Sequence, residues 1–367
     1  MIIVLLLSVV FVMFIWRRVY FHMWDKDLSV TFAFGQSYVY AGEQAQLTEV
    51  VENRKKLPVS PVEVRFQVKK GIQFEETDNT SVSDYVYKRD IFSLLGKQRI
   101  TRNISVKCKK RGCYKIGEAS LVTYSILHER KYWKSQATEA QLYVYAKRTD
   151  VSEILLACEN LLGELESNRK YIEDPFMFSS IRNYTMQEPM KMINWKASAK
   201  TGEWMVNTYT SVKNERIMIY LDVEDSGILK RENLKEDSIS VAVTLFQKML
   251  AKGTEVGICI NLQDESGTDI FYLEPSRQKG QRTILEQKLA DGWTEKEIVD
   301  FEKMLEHPFG DAIPVIISKN FSEERVRKAE KWIGKSAKGI WVVPFEEGEW
   351  TNVSSEQFLL VKREVNR

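Results

Sequence analysis

Met1 to Trp16 is apolar at every position except Ser8, and Arg17-Arg18 closes the run. The run is slightly short for the roughly 20 residues that a hydrocarbon core requires, but Val19, Tyr20, Phe21, Met23 and Trp24 can extend it while the two guanidinium groups snorkel. It predicts one uncleaved transmembrane helix, with its flank ending at residue 24. A secretory signal peptide is the competing reading, against which stand the lack of a basic leading region and of a small-x-small cleavage site. Only the α-amine is basic before the run, so the positive-inside rule places the N-terminus outside and the remaining residues in the cytoplasm. The expectation is a single-pass protein of the cell membrane, touching lipid through this helix.

From residue 28 to 147 the apolar positions alternate: Val30, Phe32 and Phe34; Val62, Val64, Phe66 and Val68; Ile104, Val106 and Cys108; Leu142 and Val144. Period two marks half-buried strands. Turn residues separate them at Ala41-Gly42-Glu43, Asn53-Arg54-Lys55-Lys56, Asp78-Asn79 and Arg111-Gly112. The pattern predicts an antiparallel β-sandwich of about seven short strands, immunoglobulin-like in kind.

Residues 148–213 begin with helical spacing, carried by Ile154, Leu155, Cys158, Leu161, Leu162 and Leu165. From 214 to 367 apolar runs alternate with amphipathic stretches. Strands are predicted at 217–221, 256–260, 313–317 and 339–343, and helices at 237–250, 282–289, 295–305 and 322–332. Ser322 followed by Glu323-Glu324 opens the last helix, and Gly334 ends it. That rhythm predicts an α/β doubly wound domain.

Composition narrows the function classes. The 53 basic and 51 acidic residues create no global field for nucleic acid, and no nucleic-acid-binding motif occurs. Four cysteines, Cys108, Cys113, Cys158 and Cys259, lack the paired spacing of a structural zinc site. They suit reduced thiols in a cytoplasmic setting. No nucleophile elbow or phosphate-binding Gly-Lys-Ser/Thr loop is present, and only His22, His128 and His307 offer an imidazole base. Enzymatic chemistry is not expected.

Between the linker helix and the α/β segment lies Ile181-Arg182-Asn183-Tyr184-Thr185-Met186-Gln187-Glu188-Pro189-Met190-Lys191-Met192-Ile193-Asn194-Trp195-Lys196-Ala197-Ser198-Ala199-Lys200. It resembles the signature of the DUF58 family, which reads approximately L-R-x-Y-x-x-G-D-x-x-R-x-I-D-W-x-x-x-A-R. Arg182, Tyr184, Ile193, Trp195 and Ala199 match. Gln187-Glu188 stands in place of Gly-Asp, Lys191 and Lys200 in place of Arg, and Asn194 in place of Asp. Upstream, Lys109-Lys110-Arg111-Gly112-Cys113-Tyr114 resembles the basic hairpin that often precedes this signature.

The resemblance implies a von Willebrand factor A-like fold for 214–367 and work alongside a MoxR-type AAA+ ATPase. In metal-binding A-domains an Asp-x-Ser-x-Ser loop holds a divalent cation. The corresponding loop here is Asp222-Val223-Glu224-Asp225-Ser226, with Glu224 replacing the middle Ser, and Lys319 stands near the expected further acidic ligand. Asp222 and Ser226 are thus a degenerate Mg²⁺ candidate, and no metal or other cofactor is expected. Two readings of the signature stay open. Trp195 fills space between the linker helix and the sheet inside a structural polar network, or Arg182, Tyr184, Glu188, Lys191, Asn194, Lys196 and Lys200 form a face for a protein partner. The expected function is a membrane-anchored, non-enzymatic adaptor. The alternatives are an envelope-associated enzyme or an outward-facing adhesive receptor.

Overall fold

The computed structural model describes residues 2–75, 80–124, 131–168, 173–186, 188–211, 215–225, 230–264, 266–267, 269–292, 297–335, 337–348 and 354–365. They divide into two compact units, Met1–Arg148 with Arg282–Trp293, and Thr149–Gln281 with Thr294–Arg367.

The first unit starts with helix α1 (Ile2–Met23). Ten strands follow: β1 (Leu28–Phe34), β2 (Tyr38–Tyr40), β3 (Gln44–Asn53), β4 (Val59–Lys69), β5 (Ile72–Phe74), β6 (Thr80–Val82), β7 (Tyr85–Leu94), β8 (Arg99–Cys108), β9 (Gly112–Tyr124) and β10 (Lys131–Tyr145). They form a four-stranded sheet, β1-β3-β8-β5, and a six-stranded sheet, β2-β10-β9-β4-β7-β6. Alternation sends every second side chain inward, so Val30, Leu47, Ile104 and Val106 of one sheet share a core with Val64, Leu121 and Leu142 of the other. Phe32 and Phe66 meet between the sheets with ring centroids 4.7 Å apart.

The same alternation carries charge inward. Glu49 follows Ala45 and Leu47 on the buried side of β3, while Lys88 and Asp90 follow Val86 on that of β7. Arg102 Nη1 donates to Asp90 Oδ1 at 2.8 Å. Neither carboxylate oxygen of Glu49 has a hydrogen-bond partner among the described residues. Burial, reinforced by the negative charge of Asp90, pushes the Glu49 carboxyl up to about 8.

The membrane anchor expected at the N-terminus is corrected. Among the described residues no helix is long and apolar enough to cross a membrane. Residues counted on to lengthen the apolar run belong instead to the folded unit: Trp24 is in its buried core, Tyr20 packs against that core, and Phe21 meets Tyr132 at 5.5 Å. Arg17 and Arg18 lie within the helix rather than beyond its end. The single-pass cell-membrane placement, and the cytoplasm-facing topology deduced from it, are withdrawn with the anchor.

The second unit opens with α2 (Ser152–Asn168), β11 (Glu173–Asn183), a 3-10 turn at Met190–Met192, α3 (Trp195–Thr201) and β12 (Met205–Ser211). Next come β13 (Arg216–Leu221), α4 (Glu232–Ala251), β14 (Glu255–Gln263) and β15 (Ile270–Ser276). The chain then runs through α5 (Gly280–Ala290), counted with the first unit from Arg282 onward, to α6 (Phe301–Met304), β16 (Ile313–Ile317), α7 (Glu323–Ile333), β17 (Gly339–Phe345) and β18 (Phe358–Glu364). β11 and β12 pair alone, and the other strands form one sheet in the order β15-β14-β13-β16-β17-β18. β13 and β16 are apolar at nearly every position because both faces of those strands are covered. Gly257 permits close approach of β14 to its neighbours, since a Cβ there would lie 2.7 Å from Met218 Sδ and 2.8 Å from the Leu273 carbonyl.

The composite fold expected from the sequence is corrected too. Strand dominates the described residues, helices are the smaller part, and no clear von Willebrand factor A-like α/β doubly wound domain is shown. Two edge strands, β15 and β18, are missing from the apolar-run reading because their partly exposed side chains interrupt the run. β15 also runs antiparallel to β14, making the sheet mixed. Of the helix expected over 295–305, positions 295–296 lie outside the described residues, and among those described only Phe301–Met304 is α-helical.

Candidate functional site

The signature segment folds as an exposed lobe built on the β11/β12 pair. Asn183 aligns with Met205, Arg182 with Val206 and Ile181 with Asn207. The connection between these strands carries the 3-10 turn and α3. Ile193 bridges to Val206, and both are buried, giving the lobe its apolar centre.

Asn194 starts α3. Its Oδ1 accepts from the Ala197 backbone N–H at 3.0 Å, an N-cap contact, while its Nδ2 donates to Asn207 Oδ1 on β12 at 2.7 Å. Ser198 donates to the Asn194 carbonyl and accepts from the Met205 N–H, both at 2.9 Å. Gly202 ends the helix at φ 77°, where its N–H reaches the Ser198 carbonyl at 2.9 Å. The amide at 194 therefore joins helix to strand, a contact that its sequence spacing does not announce.

Arg182 closes the opposite turn. Its Nη1 donates to Glu188 Oε2 at 3.0 Å, and its Nη2 reaches Oε1 of the same carboxylate. Glu188 Oε2 also accepts from the Thr185 N–H at 3.2 Å, and Tyr184 donates its hydroxyl proton to the Glu188 carbonyl at 2.9 Å. Hydrogen bonding from Arg182 holds the Glu188 carboxyl down at about 2. The Tyr184 ring meets Trp204 edge-on at 5.5 Å.

These contacts sort the signature residues into two sets. Arg182, Tyr184, Glu188 and Asn194 are joined in hydrogen bonds that shape the lobe. Lys191, Lys196 and Lys200 are exposed and have no carboxylate within ion-pair distance among the described residues. Trp195 departs from its expected role as filler: it is 63% exposed, and Ile193, Ser198 and Val206 hold the buried positions. Trp204 is 53% exposed and Met186 97%, with Met190 and Met192 also exposed. Sequence reasoning passed over these methionines and Trp204. Their signal was available as apolar residues interspersed with lysines, without the period of either a helix or a strand.

The degenerate metal loop is organised around buried hydrogen bonds. Asp222 Oδ1 accepts from Asn261 Nδ2 at 2.7 Å and from the Glu224 N–H at 2.9 Å. Its Oδ2 accepts from Ser318 Oγ at 2.6 Å and Arg325 Nη1 at 2.8 Å. Arg325 also binds Glu224 Oε2 through Nη2 at 2.6 Å, and Lys319 pairs with Asp225. A guanidinium and an ammonium thus neutralise this acidic loop from within the chain. Ser226 lies outside the described residues, and no group of three or more metal-ligating side chains is found among those described.

No protein-family model matches the chain. No curated protein matches it. Among solved structures it is similar to the CARDB domain of a Pyrococcus furiosus protein at 18% identity, covering 32% of this chain and 96% of that one, with a TM-score of 0.20. It is similar to a non-cellulosomal cohesin from Archaeoglobus fulgidus at 12% identity, covering 35% and 97%, with a TM-score of 0.21. A cohesin module of a Clostridium perfringens family 33 glycoside hydrolase aligns at 12% identity over 31% and 97%, with a TM-score of 0.21. At these scores the likenesses assign neither a family nor an activity.

Proposed function

We propose that this chain is a non-enzymatic interaction protein and that the lobe from Arg182 to Lys200 binds its partner. One observation carries the reading: Trp195 and the methionines and lysines near it in sequence are exposed on a segment whose shape is fixed by its own hydrogen bonds. An aromatic anchor, adaptable thioethers and basic groups are recognition chemistry. A preformed lobe also reduces the ordering cost of association.

The partner proposed is a MoxR-type AAA+ ATPase, on the strength of the DUF58 resemblance. Arg182, Tyr184, Glu188 and Asn194 maintain the lobe, while Lys191, Lys196 and Lys200 meet the partner. The test is capture of a purified MoxR-type ATPase by the full chain, compared with Lys196→Glu and Trp195→Ala. Capture by the parent protein that is lost in both variants, with unchanged thermal melts, supports the reading. Equal capture by all three proteins overturns the assignment to this lobe.

A further inference from the structure

Resting on that reading of the lobe, we infer that the segment it receives is acidic and amphipathic: carboxylates meet Lys191, Lys196 and Lys200, and apolar side chains meet Trp195, Met190 and Met192. The two halves of the surface arise from separate observations.

The basic half is defined by what has been neutralised and what has not. Arg182 is paired with Glu188 inside the lobe, whereas all three lysines lack such a partner among the described residues. Glu203 accepts from Asn183 Nδ2 at 3.0 Å and keeps its charge, but it forms no ion pair with any of the three lysines among the described residues. On α3, Lys196 and Lys200 are four residues apart and therefore occupy one side of the helix, with Lys191 in the turn immediately before it. Lysines of like charge with no ion-pair partner among the described residues attract the opposite charge at short range.

The apolar half determines what kind of acidic ligand fits. Trp195 and Ala199 follow the same four-residue spacing on α3, and Met190 and Met192 flank Lys191. An acidic chain without apolar groups would leave the indole and thioethers in water. A basic amphipathic segment would be repelled by the lysines. A ligand presenting both carboxylates and apolar side chains satisfies both halves.

Two synthetic amphipathic peptides test this, one bearing Glu and Leu and the other Lys and Leu in the same pattern, titrated by fluorescence anisotropy against the full chain. The Glu/Leu peptide should bind, and the Lys/Leu peptide should not. Its affinity should fall by about ten-fold or more when salt is raised to about 1 M, where the Debye length is about 3 Å. A similar loss is expected in the triple variant Lys191→Glu, Lys196→Glu, Lys200→Glu and in Trp195→Ala, with melting temperatures retained. Equal affinity for the two peptides, salt-independent binding, or binding of phosphatidylglycerol vesicles in place of the Glu/Leu peptide would overturn the inference. ATPase capture separates it from the broader reading. Lobe-dependent capture without Glu/Leu peptide binding rejects the ligand chemistry alone, whereas peptide binding without capture rejects the ATPase assignment alone.

Discussion

Arg182 donates from both terminal nitrogens to the two carboxylate oxygens of Glu188, six positions along the chain, and so ties the end of β11 to the turn that leads into the signature lobe. Charge-assisted bidentate contacts are directional as well as attractive. The pair therefore governs the shape of the lobe even though its groups do not provide the unpaired charge.

This pair gives a pH prediction with a definite sign. Its folded Glu188 carboxyl is held at about 2, below the ordinary 4.5. The pairing contribution is present above about 4.5 and is lost as pH falls toward about 2. Carboxyl-resolved NMR titration should show the low midpoint in the parent protein. In Arg182→Ala it should return toward the ordinary value, and an unmoved midpoint would assign the depression to another group.

Trp195 and Ile193 should differ in stability despite their nearness in sequence. Trp195→Ala should cost about 0.5 kcal/mol or less because the indole is largely solvated, whereas Ile193→Ala empties a buried site and should cost about 2–4 kcal/mol. Urea unfolding of the two variants checks the ordering. A larger loss for Trp195→Ala would restore the space-filling role expected from sequence.

In the first unit, Glu49 faces Lys88 and Asp90 of β7 and Arg102 of β8 in the sandwich interior. Folding raises its carboxyl from 4.5 to about 8, so the folded chain retains a proton that the unfolded chain loses within that window. The contribution of this group to stability should be fullest below about 4.5, decline as pH rises through about 8, and level off beyond it. Glu49→Gln should remove most of this slope. Urea midpoints at about pH 6 and about pH 9 provide the measurement, and equal slopes in parent and variant would refute the assignment.

Removing Arg325 should be costly because it leaves the buried Asp222 carboxylate without its guanidinium partner. Arg325→Ala is expected to lose about 3 kcal/mol, and Asp222→Asn in the same background should recover part of that loss. Thermal and urea unfolding of the single and double variants test the coupling. Simple additivity would separate the two groups energetically.

The strands of the first sandwich were legible where alternation was regular, as from Val62 to Val68, because one buried face imposes period two. Much of the second sheet was legible for the opposite reason: β13 and β16 are covered on both faces and read as continuous apolar runs. The half-exposed edges β15 and β18 carry neither signal. In the signature, residue types marked an unusual polar segment but not which of its side chains would be tied into hydrogen bonds.

By itself the sequence determined where backbone segments could bury apolar side chains, because strand and helix periods are local properties. Tertiary structure decided which polar groups found partners. Arg182 is consumed by Glu188 and Asn194 by Ala197 and Asn207, while Lys191, Lys196 and Lys200 have no ion-pair partner among the described residues. It also drew Tyr20 and Trp24 into the first unit instead of allowing them to lengthen an apolar span. Hydrogen bonds and buried contacts between distant positions set these outcomes, since a side chain's availability depends on the neighbours that folding brings to it.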